Sequence, residues 1–274
     1  MQRMEKLEGI RLVVADIDNT LVKKHDPLSP LAKEAIMKMH EKGIYFSLAS
    51  GRSVEQLHAL EKDWGIKCEL LIGMNGSEIY DGILDKTETL YYMKADWIRQ
   101  AFEIMRPFRY NAHVHIGDTS YISAIDENTM GSAKYVKGQN MKVVEDESEF
   151  WQGDTIKIGF RVHAEDMPAI ERRVAQYPSN DFIGGKTEFT MFEFWNKQAN
   201  KGKILDLFCK RHDIDLAKVV AVGDMTNDIS MLEVAGIGVC MINGSDDTKA
   251  VAQMITEKSC DEDGFAHFIF DHIL

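Results

Sequence analysis

The chain has 274 residues, a formal net charge of -12 and an apolar content of 45%, which is enough for one or two globular domains with a buried core. Its acidic balance argues against a nucleic-acid-binding protein, because phosphate backbones are bound by clustered Lys and Arg. The chain could still bind a small anionic substrate if a metal or a local positive charge offsets the negative charge. Four widely spaced cysteines and the lack of an apolar run of about 18 residues predict a cytoplasmic protein with reduced thiols and no membrane association.

The first predicted element is a buried strand at the start of the stretch from Leu12 to Leu21, where an apolar run ends in Asp16 and Asp18. Two residues apart near a strand end, these carboxylates point to the same side, and ligands of open α/β sheets bind at that end. Two acids in one small volume are costly unless a cation binds them or one holds a proton. A metal site is therefore the first hypothesis for this stretch.

The next segment alternates helices and strands. Ser29 followed by Pro30 is typical of a helix start, and Gly43 ends that helix. The predicted elements are a helix over 30–42, a strand over 44–49, a helix over 54–64 and a strand over 70–73. Right-handed crossovers would place these strands side by side and parallel.

The middle third is rich in hairpins and aromatic residues. Hairpins are predicted over 78–85, turning at Asp-Gly, and over 111–125, turning near Gly117-Asp118. Further predictions are helices over 96–107 and 165–177, a strand over 155–162, and two strands within 182–195 separated near Gly184-Gly185. We interpret about 81–196 as an α+β domain inserted into the first domain.

Two residue patterns in this insert favour packing over ligand binding. The alternating aromatic residues predict a sheet core, and they are Phe189, Phe192, Phe194 and Trp195. His113 and His115 lie two apart on a predicted strand, but without a carboxylate partner they indicate one face of a sheet rather than a metal site.

The strand and helix alternation returns at Asn200. The predicted elements are a helix over 201–212, a strand over 219–222, a polar turn over 223–228 that opens a helix to residue 235, a strand over 237–241, and helices over 246–255 and 263–274. The predicted fold class is α/β. Residues 1–80 and 197–274 are predicted to form a Rossmann-like core, a parallel sheet with helices on both faces. Residues 81–196 are predicted to form an α+β cap inserted into this core.

Polar clusters follow the predicted strands of the core. They are Asp16 with Asp18 and Thr20, Ser50 with Arg52, Lys201 at a helix start, and Asp224 with Asn227 and Asp228. Carboxylates supply the hard oxygen ligands that Mg²⁺ prefers, and Ser, Lys and Asn side chains can hold phosphoryl oxygens. This pattern predicts metal-assisted phosphoryl transfer.

The motifs that carry this pattern resemble those of the haloacid dehalogenase superfamily. They are Asp16-Ile-Asp-Asn-Thr-Leu, Ala49-Ser-Gly-Arg52, Asn200-Lys-Gly202 and Gly223-Asp-Met-Thr-Asn-Asp228. The large insert between the second and third motifs is similar to the Cof-like branch, which has an α/β cap. The resemblance covers essentially the whole chain, and its last motif is the most specific.

The resemblance implies a role for each motif residue. Asp16 would be the nucleophile that forms an aspartyl phosphate, Asp18 the acid and base, and Lys201 the third catalytic residue. Mg²⁺ would be bound by Asp16, the backbone carbonyl of Asp18 and Asp224, with Asp228 supporting that shell or orienting Lys201. The candidate substrate-binding residues are Ser50, Gly51, Arg52, Asn75 and Asn227.

Some alternatives stay open at this stage. A proton donor at Asp18 favours phosphatase over dehalogenase chemistry, since halide needs no proton to leave. The implied substrate is a small phosphorylated metabolite, first a sugar phosphate, and the alternatives are a sugar phosphomutase or a non-catalytic binding protein. Arg52 fits a substrate contact or a salt bridge equally well, and Asn75 fits a site contact or a plain turn. Asn19 replaces a Gly that is usual in the family.

Overall fold

The computed structural model describes residues 6–23, 26–116, 119–125 and 140–274, without the side chains of residues 140 and 188. The chain forms two units. The first comprises Met1–Leu90 and Asn200–Leu274, and the second comprises Tyr91–Ala199. No helix among the described residues has the length and apolar character to span a membrane.

The first unit is a sheet flanked by helices. Its strands, in chain order, are β1 (Leu12–Ala15), β2 (Tyr45–Ala49), β3 (Leu70–Gly73), β4 (Glu78–Asp81), β5 (Lys86–Thr89), β12 (Val219–Gly223), β13 (Ile237–Cys240) and β14 (Met254–Ile255). Within the described residues the spatial order is β14-β13-β12-β1-β2-β3-β4-β5, and the six strands from β14 to β3 are parallel. This confirms the predicted parallel core.

The helices of this unit are α1 (Pro30–Glu41), α2 (Val54–Trp64), α5 (Lys201–Arg211), α6 (Ile229–Val234), α7 (Asp246–Val251) and α8 (Gly264–His272). One hydrophobic cluster joins α1, α2 and α8 to alternate sheet residues such as Val13. Helix α5 lies against β3, and α6 lies against β12 and β13. Caps fix the helix starts, since Ser29 accepts a hydrogen bond from the backbone N–H of Ala32 and Ser53 from that of Gln56.

The strand pair β4 and β5 extends the first sheet beyond its parallel part. Strand β4 pairs antiparallel with β3 and β5 pairs with β4, so the first unit runs to residue 90. The predicted division at residue 80 lies inside β4. The hydrogen bonds that β4 donates to and accepts from β3 connect this hairpin to the first unit.

The second unit is a separate sheet with helices on one face. Its elements are α3 (Ala95–Met105), β6 (Tyr110–Ile116), β7 (Thr119–Ile122), β8 (Asn140–Val143), β9 (Lys157–Val162), α4 (Met167–Ala175), β10 (Phe182–Glu188) and β11 (Met191–Asn196). In the described part of the chain the strand order is β10-β11-β9-β6-β7-β8. Its core packs Phe160, Phe192 and Phe194 against Phe102 of α3 and Ile170 of α4. The predicted second α+β unit is thus confirmed, while the predicted turn at residues 117–118 lies outside the described residues.

Two local predictions were wrong. Gly184-Gly185 does not separate two strands but lies within β10. Glycine is needed at residue 184 because a Cβ atom there would lie 2.6 Å from the ring of Phe194. The helix predicted over 246–255 ends at Val251, and Met254–Ile255 instead pairs with β13 as a short strand.

The aromatic prediction for the insert was correct for two residues of four. Phe192 and Phe194 are core residues, whereas Phe189 is 81% exposed and Trp195 lies outside the core cluster on the opposite face of the sheet. Strand alternation explains the difference, since Trp195 follows the buried Phe194 by one residue.

Candidate active site

The carboxyl ends of three neighbouring parallel strands carry the candidate site. Asp16 follows β1, Ser50 follows β2 and Asp224 follows β12, and these strands lie adjacent in the order β12-β1-β2. All three residues are buried, at 7%, 4% and 2% exposure. The order of the strands therefore brings together residues that lie far apart in the sequence.

Lys201 joins this group from the start of α5. The side chain of Asn200 caps the helix by accepting a hydrogen bond from the N–H of Lys203. The Nζ atom of Lys201 is fully buried and lies 2.6 Å from Oδ1 of Asp16 and 2.6 Å from Oδ1 of Asp228. Burial disfavours its charge, but the two carboxylates outweigh burial and raise the pKa of Lys201, so the ammonium stays charged.

Asp228 organises the loop that carries Asp224. Its Oδ2 atom accepts hydrogen bonds from the backbone N–H groups of Asp224, at 2.9 Å, and Met225, at 3.1 Å. Its Oδ1 atom accepts from Lys201, so both of its oxygens have partners. Gly223 makes room for this arrangement, since a Cβ atom there would lie 2.5 Å from Cβ of Asp228.

The buried carboxylates exceed the positive charge beside them. Burial raises the pKa of Asp16 to about 8 against the opposing charge of Lys201. Burial, and then the charge of Asp228, raise the pKa of Asp224 to about 7, although Thr20 donates a hydrogen bond to Asp224 Oδ1 at 3.1 Å. Three carboxylates and one ammonium at one place require a proton or a further cation.

The same carboxylates fit a divalent cation. One oxygen each of Asp16, Asp224 and Asp228 lie within 4.8 Å of one another, the one such group of possible metal ligands among the described residues. Hard oxygen donors with an uncompensated negative charge suit Mg²⁺. Asp18 was predicted to bind the metal through its backbone carbonyl, and its carboxylate is not part of this group.

The carboxylate of Asp18 pairs with Arg52 instead. The Nη2 atom of Arg52 lies 2.9 Å from Oδ1 and 3.0 Å from Oδ2 of Asp18. The side chains of both residues are about one-third exposed, at 31% for Asp18 and 30% for Arg52. Two interpretations were left open for Arg52, a substrate contact and a salt bridge. In this structure Arg52 forms a salt bridge, and the carboxylate it binds belongs to Asp18, the predicted acid and base.

The remaining predicted substrate contacts form one loop cluster. Asn227 donates a hydrogen bond through Nδ2 to Oδ1 of Asn75 at 3.2 Å, and the N–H of Asn75 donates to the carbonyl of Ser50 at 2.9 Å. Gly51 lies beside this pair, since a Cβ atom there would be 3.3 Å from Nδ2 of Asn75. The structure therefore brings Ser50, Gly51, Asn75 and Asn227 together.

Gly76 allows this loop to approach the start of α5. It has φ of +99°, and a Cβ atom on it would lie 2.3 Å from the backbone carbonyl of Asn200. Only glycine fits such a conformation at such a distance. The approach fixes Asn75 relative to Lys201.

Two further residues position the site loops, namely Thr20, a member of the first polar cluster without a predicted role of its own, and Asn243. Thr20 is the hydrogen-bond donor to Asp224 described above. Asn243, which follows β13, donates a hydrogen bond through Nδ2 to the carbonyl of Asn19 at 2.8 Å and accepts one at Oδ1 from the N–H of Cys260 at 2.9 Å. The sequence position of Asn243 could have indicated a role in the site, since it is a polar residue that follows β13, the strand next to β12.

Comparison with known proteins identifies similar chains. A family model described as haloacid dehalogenase-like hydrolase matches residues 13–269. Phosphatase YwpJ of Bacillus subtilis is 25% identical, covering 97% of this chain and 100% of its own. The 5-amino-6-(5-phospho-D-ribitylamino)uracil phosphatase YwtE of the same organism is 27% identical, covering 95% and 97%. The crystal structure of TM0651 from Thermotoga maritima is similar in fold, with a TM-score of 0.82 at 22% identity over 96% of this chain and 97% of that one.

Proposed function

The chain belongs to the haloacid dehalogenase-like hydrolase family and is a phosphatase, and we propose that it hydrolyses small phosphate monoesters with Mg²⁺ through an aspartyl phosphate. The observation that carries this proposal is the position of Asp16, a buried carboxylate with one oxygen on Lys201 and a group of further carboxylates beside it. Small phosphorylated metabolites are the proposed substrates. The names of relatives such as YwtE, whose substrate has a phosphoribityl group, support a sugar or sugar-alcohol phosphate.

The proposed first step transfers the phosphoryl group to Asp16. Its Oδ1 atom accepts the hydrogen bond from Lys201, which leaves Oδ2 to attack phosphorus while the bond from phosphorus to the ester oxygen breaks. Asp18 gives its proton to the departing alkoxide. Lys201, Ser50 and Asn227 supply donors for the phosphoryl oxygens.

The second step reverses the role of Asp18. Its carboxylate takes a proton from a water molecule, which attacks phosphorus and releases inorganic phosphate, so that the carboxylate of Asp16 is regenerated. Asp16, Asp224 and the backbone carbonyl of Asp18 would hold Mg²⁺, and Asp228 would position Lys201 and Asp224. The cation would neutralise charge on the phosphoryl oxygens and lower the cost of bringing an anion to an acidic site.

A panel of phosphate monoesters tests this function. We expect phosphate release from sugar phosphates that depends on added Mg²⁺ and is abolished by EDTA and by Asp16→Asn. Release of phosphate by the Asp16→Asn variant at the wild-type rate would remove Asp16 from the role of nucleophile. No release from any ester by the wild-type enzyme would contradict the proposed function.

A further inference from the structure

The short connection from β2 to α2 carries candidate site residues, Ser50 and Arg52 among them. It comprises residues 50–53, and we call it the β2–α2 loop. The N–H of Ser50 donates a hydrogen bond to the carbonyl of Ile72 in β3 at 2.8 Å. The carbonyl of Arg52 accepts one from the N–H of Met74 at 2.8 Å. Backbone contacts with β3 and the residue after it therefore hold the loop where it leaves β2.

A side chain holds the other end of the β2–α2 loop. Val54 is the first residue of α2, and its N–H donates a hydrogen bond to Oε2 of Glu78 at 2.8 Å. The first N–H groups of a helix have no partner within the helix, so each needs an acceptor from elsewhere. The hydroxyl of the N-cap Ser53 serves the N–H of Gln56, and Glu78 serves that of Val54. Glu78 therefore connects the first residue of β4 to the start of α2.

Gly73 makes this contact possible. A Cβ atom at Gly73 would lie 2.9 Å from the backbone nitrogen of Val54 and 3.1 Å from Oε2 of Glu78. A side chain at residue 73 would therefore crowd both the donor and the acceptor. Gly73 and Glu78 lie opposite each other in the antiparallel pair of β3 and β4, so the strand pairing itself brings the carboxyl group to the helix start.

The surroundings of Glu78 require an acceptor more than a charge. Burial raises the pKa of Glu78 against the hydrogen bond from Val54, and the charge of Glu55 in α2 raises it further. Burial and Glu55 thus disfavour the ionised form, whereas the N–H of Val54 needs only an oxygen that accepts. An amide oxygen can therefore replace the carboxylate in this contact.

We propose that Glu78 is a positioning residue that holds the β2–α2 loop and so orients Ser50 and Arg52 in the site; the inference rests on the proposed phosphatase function. The loop is short, because β2 ends at Ala49 and α2 begins at Val54. With both of its ends held, the loop keeps the guanidinium of Arg52 on the carboxylate of Asp18. Glu78 thus acts on the reaction through the residues of this loop.

Kinetics of Glu78→Met, whose side chain has a similar length and no acceptor oxygen, test this proposal. A looser loop holds Arg52 less firmly on Asp18, and an alkoxide depends on the proton of Asp18 more than p-nitrophenolate does. We therefore expect the ratio of kcat/KM for ribose 5-phosphate to that for p-nitrophenyl phosphate to fall about fivefold, the effect of one lost hydrogen bond. Glu78→Gln, which keeps an acceptor, should restore the ratio. Glu55→Ala, which removes an exposed carboxylate from the same helix start, is the matched control and should leave the ratio unchanged.

A purely structural role for Glu78 predicts a different result. Thermal unfolding of Glu78→Met would then show a lower midpoint while the ratio of the two esters stays at its wild-type value, and this outcome would overturn the proposal. A ratio that is equally low in Glu78→Gln would refute the role of the acceptor. If Glu78→Met does not fold, Glu78→Thr takes its place, since Thr suits a strand and is too short to reach Val54. The same fall in the ratio is expected from it.

Amide hydrogen exchange separates this inference from the proposed function. We expect the N–H groups of residues 50–54 to exchange about fivefold faster in Glu78→Met than in the wild-type protein, while those of Ile79 and Tyr80 in β4 keep their rates. If the wild-type protein releases phosphate from no ester but exchange rises as expected, the proposed function is wrong and Glu78 still holds the loop. If the enzyme is active and Glu78→Met changes neither the exchange of residues 50–54 nor the ratio of the two esters, Glu78 does not position the loop.

Discussion

The ammonium group of Lys201 lies 2.6 Å from a carboxylate oxygen of Asp16, although 185 residues separate the two in sequence. Lys201 makes an equally short contact with Asp228, so one buried cation connects the residue after β1 to the loop after β12. Removing Lys201 would leave both carboxylates buried without their cation, which costs more than an exposed ion pair contributes.

Asp228→Asn should lower kcat by roughly 10- to 100-fold, the range found when a residue that supports metal ligands is lost. The single oxygen of the amide can accept hydrogen bonds either from Lys201 or from the backbone N–H groups of Asp224 and Met225. In either orientation the NH₂ group of the amide faces another donor. Phosphate release and a Mg²⁺ titration measure the effect. Asp247→Asn, an exposed carboxylate on α7 that accepts a hydrogen bond from Thr226, is the control. Equal activity of both variants would contradict a positioning role for Asp228.

Stability without metal should fall as the pH rises from about 6.5 to 8.5. Burial raises the pKa of Asp16 to about 8 and that of Asp224 to about 7, from 3.8 in both cases. In this range the folded protein holds protons that the unfolded chain has already lost. Each unit of pH therefore lowers the free energy of unfolding by up to about 1.4 kcal/mol per group, as the folded protein loses these protons. Burial lowers the pKa values of His113 and His115. These two groups therefore make stability rise with pH, and they do so below this range.

Thermal unfolding in EDTA at several pH values measures this effect. Saturating Mg²⁺ should flatten the pH dependence, because the cation binds the ionised carboxylates and replaces the protons. A midpoint in EDTA that rises steadily from pH 6.5 to 8.5 would show that the carboxylates are not the groups that control stability.

Much of this site follows from sequence alone because strand order brings the carboxyl ends of parallel strands together. Asp16, Ser50 and Asp224 each follow an apolar run, and Lys201 follows a helix-capping Asn, so local patterns identify them. The partner of Arg52 could not be predicted, since its pairing with Asp18 depends on the conformations of two loops. Gly184 and Gly185 resemble strand breakers in sequence, whereas the structure needs them to make room for rings on the next strand. Local patterns do not contain these distant contacts.

Asn243→Ala should lower kcat about tenfold with little change in KM. The hydrogen bond from Asn243 holds the carbonyl of Asn19, a residue with φ of +62° in the loop between Asp18 and Thr20. Two hydrogen bonds are lost, at about 1 kcal/mol each, and the loop that orients Asp18 loses its support. Steady-state kinetics and thermal unfolding separate these effects. Lys23→Ala, which removes the exposed ion pair of the same loop with Asp261, is the control and should leave kcat unchanged.

Asn243→Asp keeps the shape of the side chain but removes its NH₂ donor, so this variant tests the contact with Asn19 separately. Asn243→Asp keeps the acceptor for the N–H of Cys260 but places a carboxylate oxygen against the carbonyl of Asn19. We therefore expect it to lower kcat at least as much as Asn243→Ala. Wild-type kcat in Asn243→Asp would show that the contact with Asn19 does not matter for catalysis.

Arg52→Met should slow the hydrolysis of alkyl phosphates more than that of p-nitrophenyl phosphate. The guanidinium of Arg52 contacts both carboxylate oxygens of Asp18 and so fixes the direction of the predicted proton donor. An alkoxide needs that proton to leave, whereas p-nitrophenolate is stable enough to leave with little help. The ratio of kcat/KM for the two esters measures the effect, and Asp18→Asn should change this ratio in the same direction. If Arg52 instead binds the phosphoryl group directly, both esters should lose binding equally, and the ratio would stay at the wild-type value.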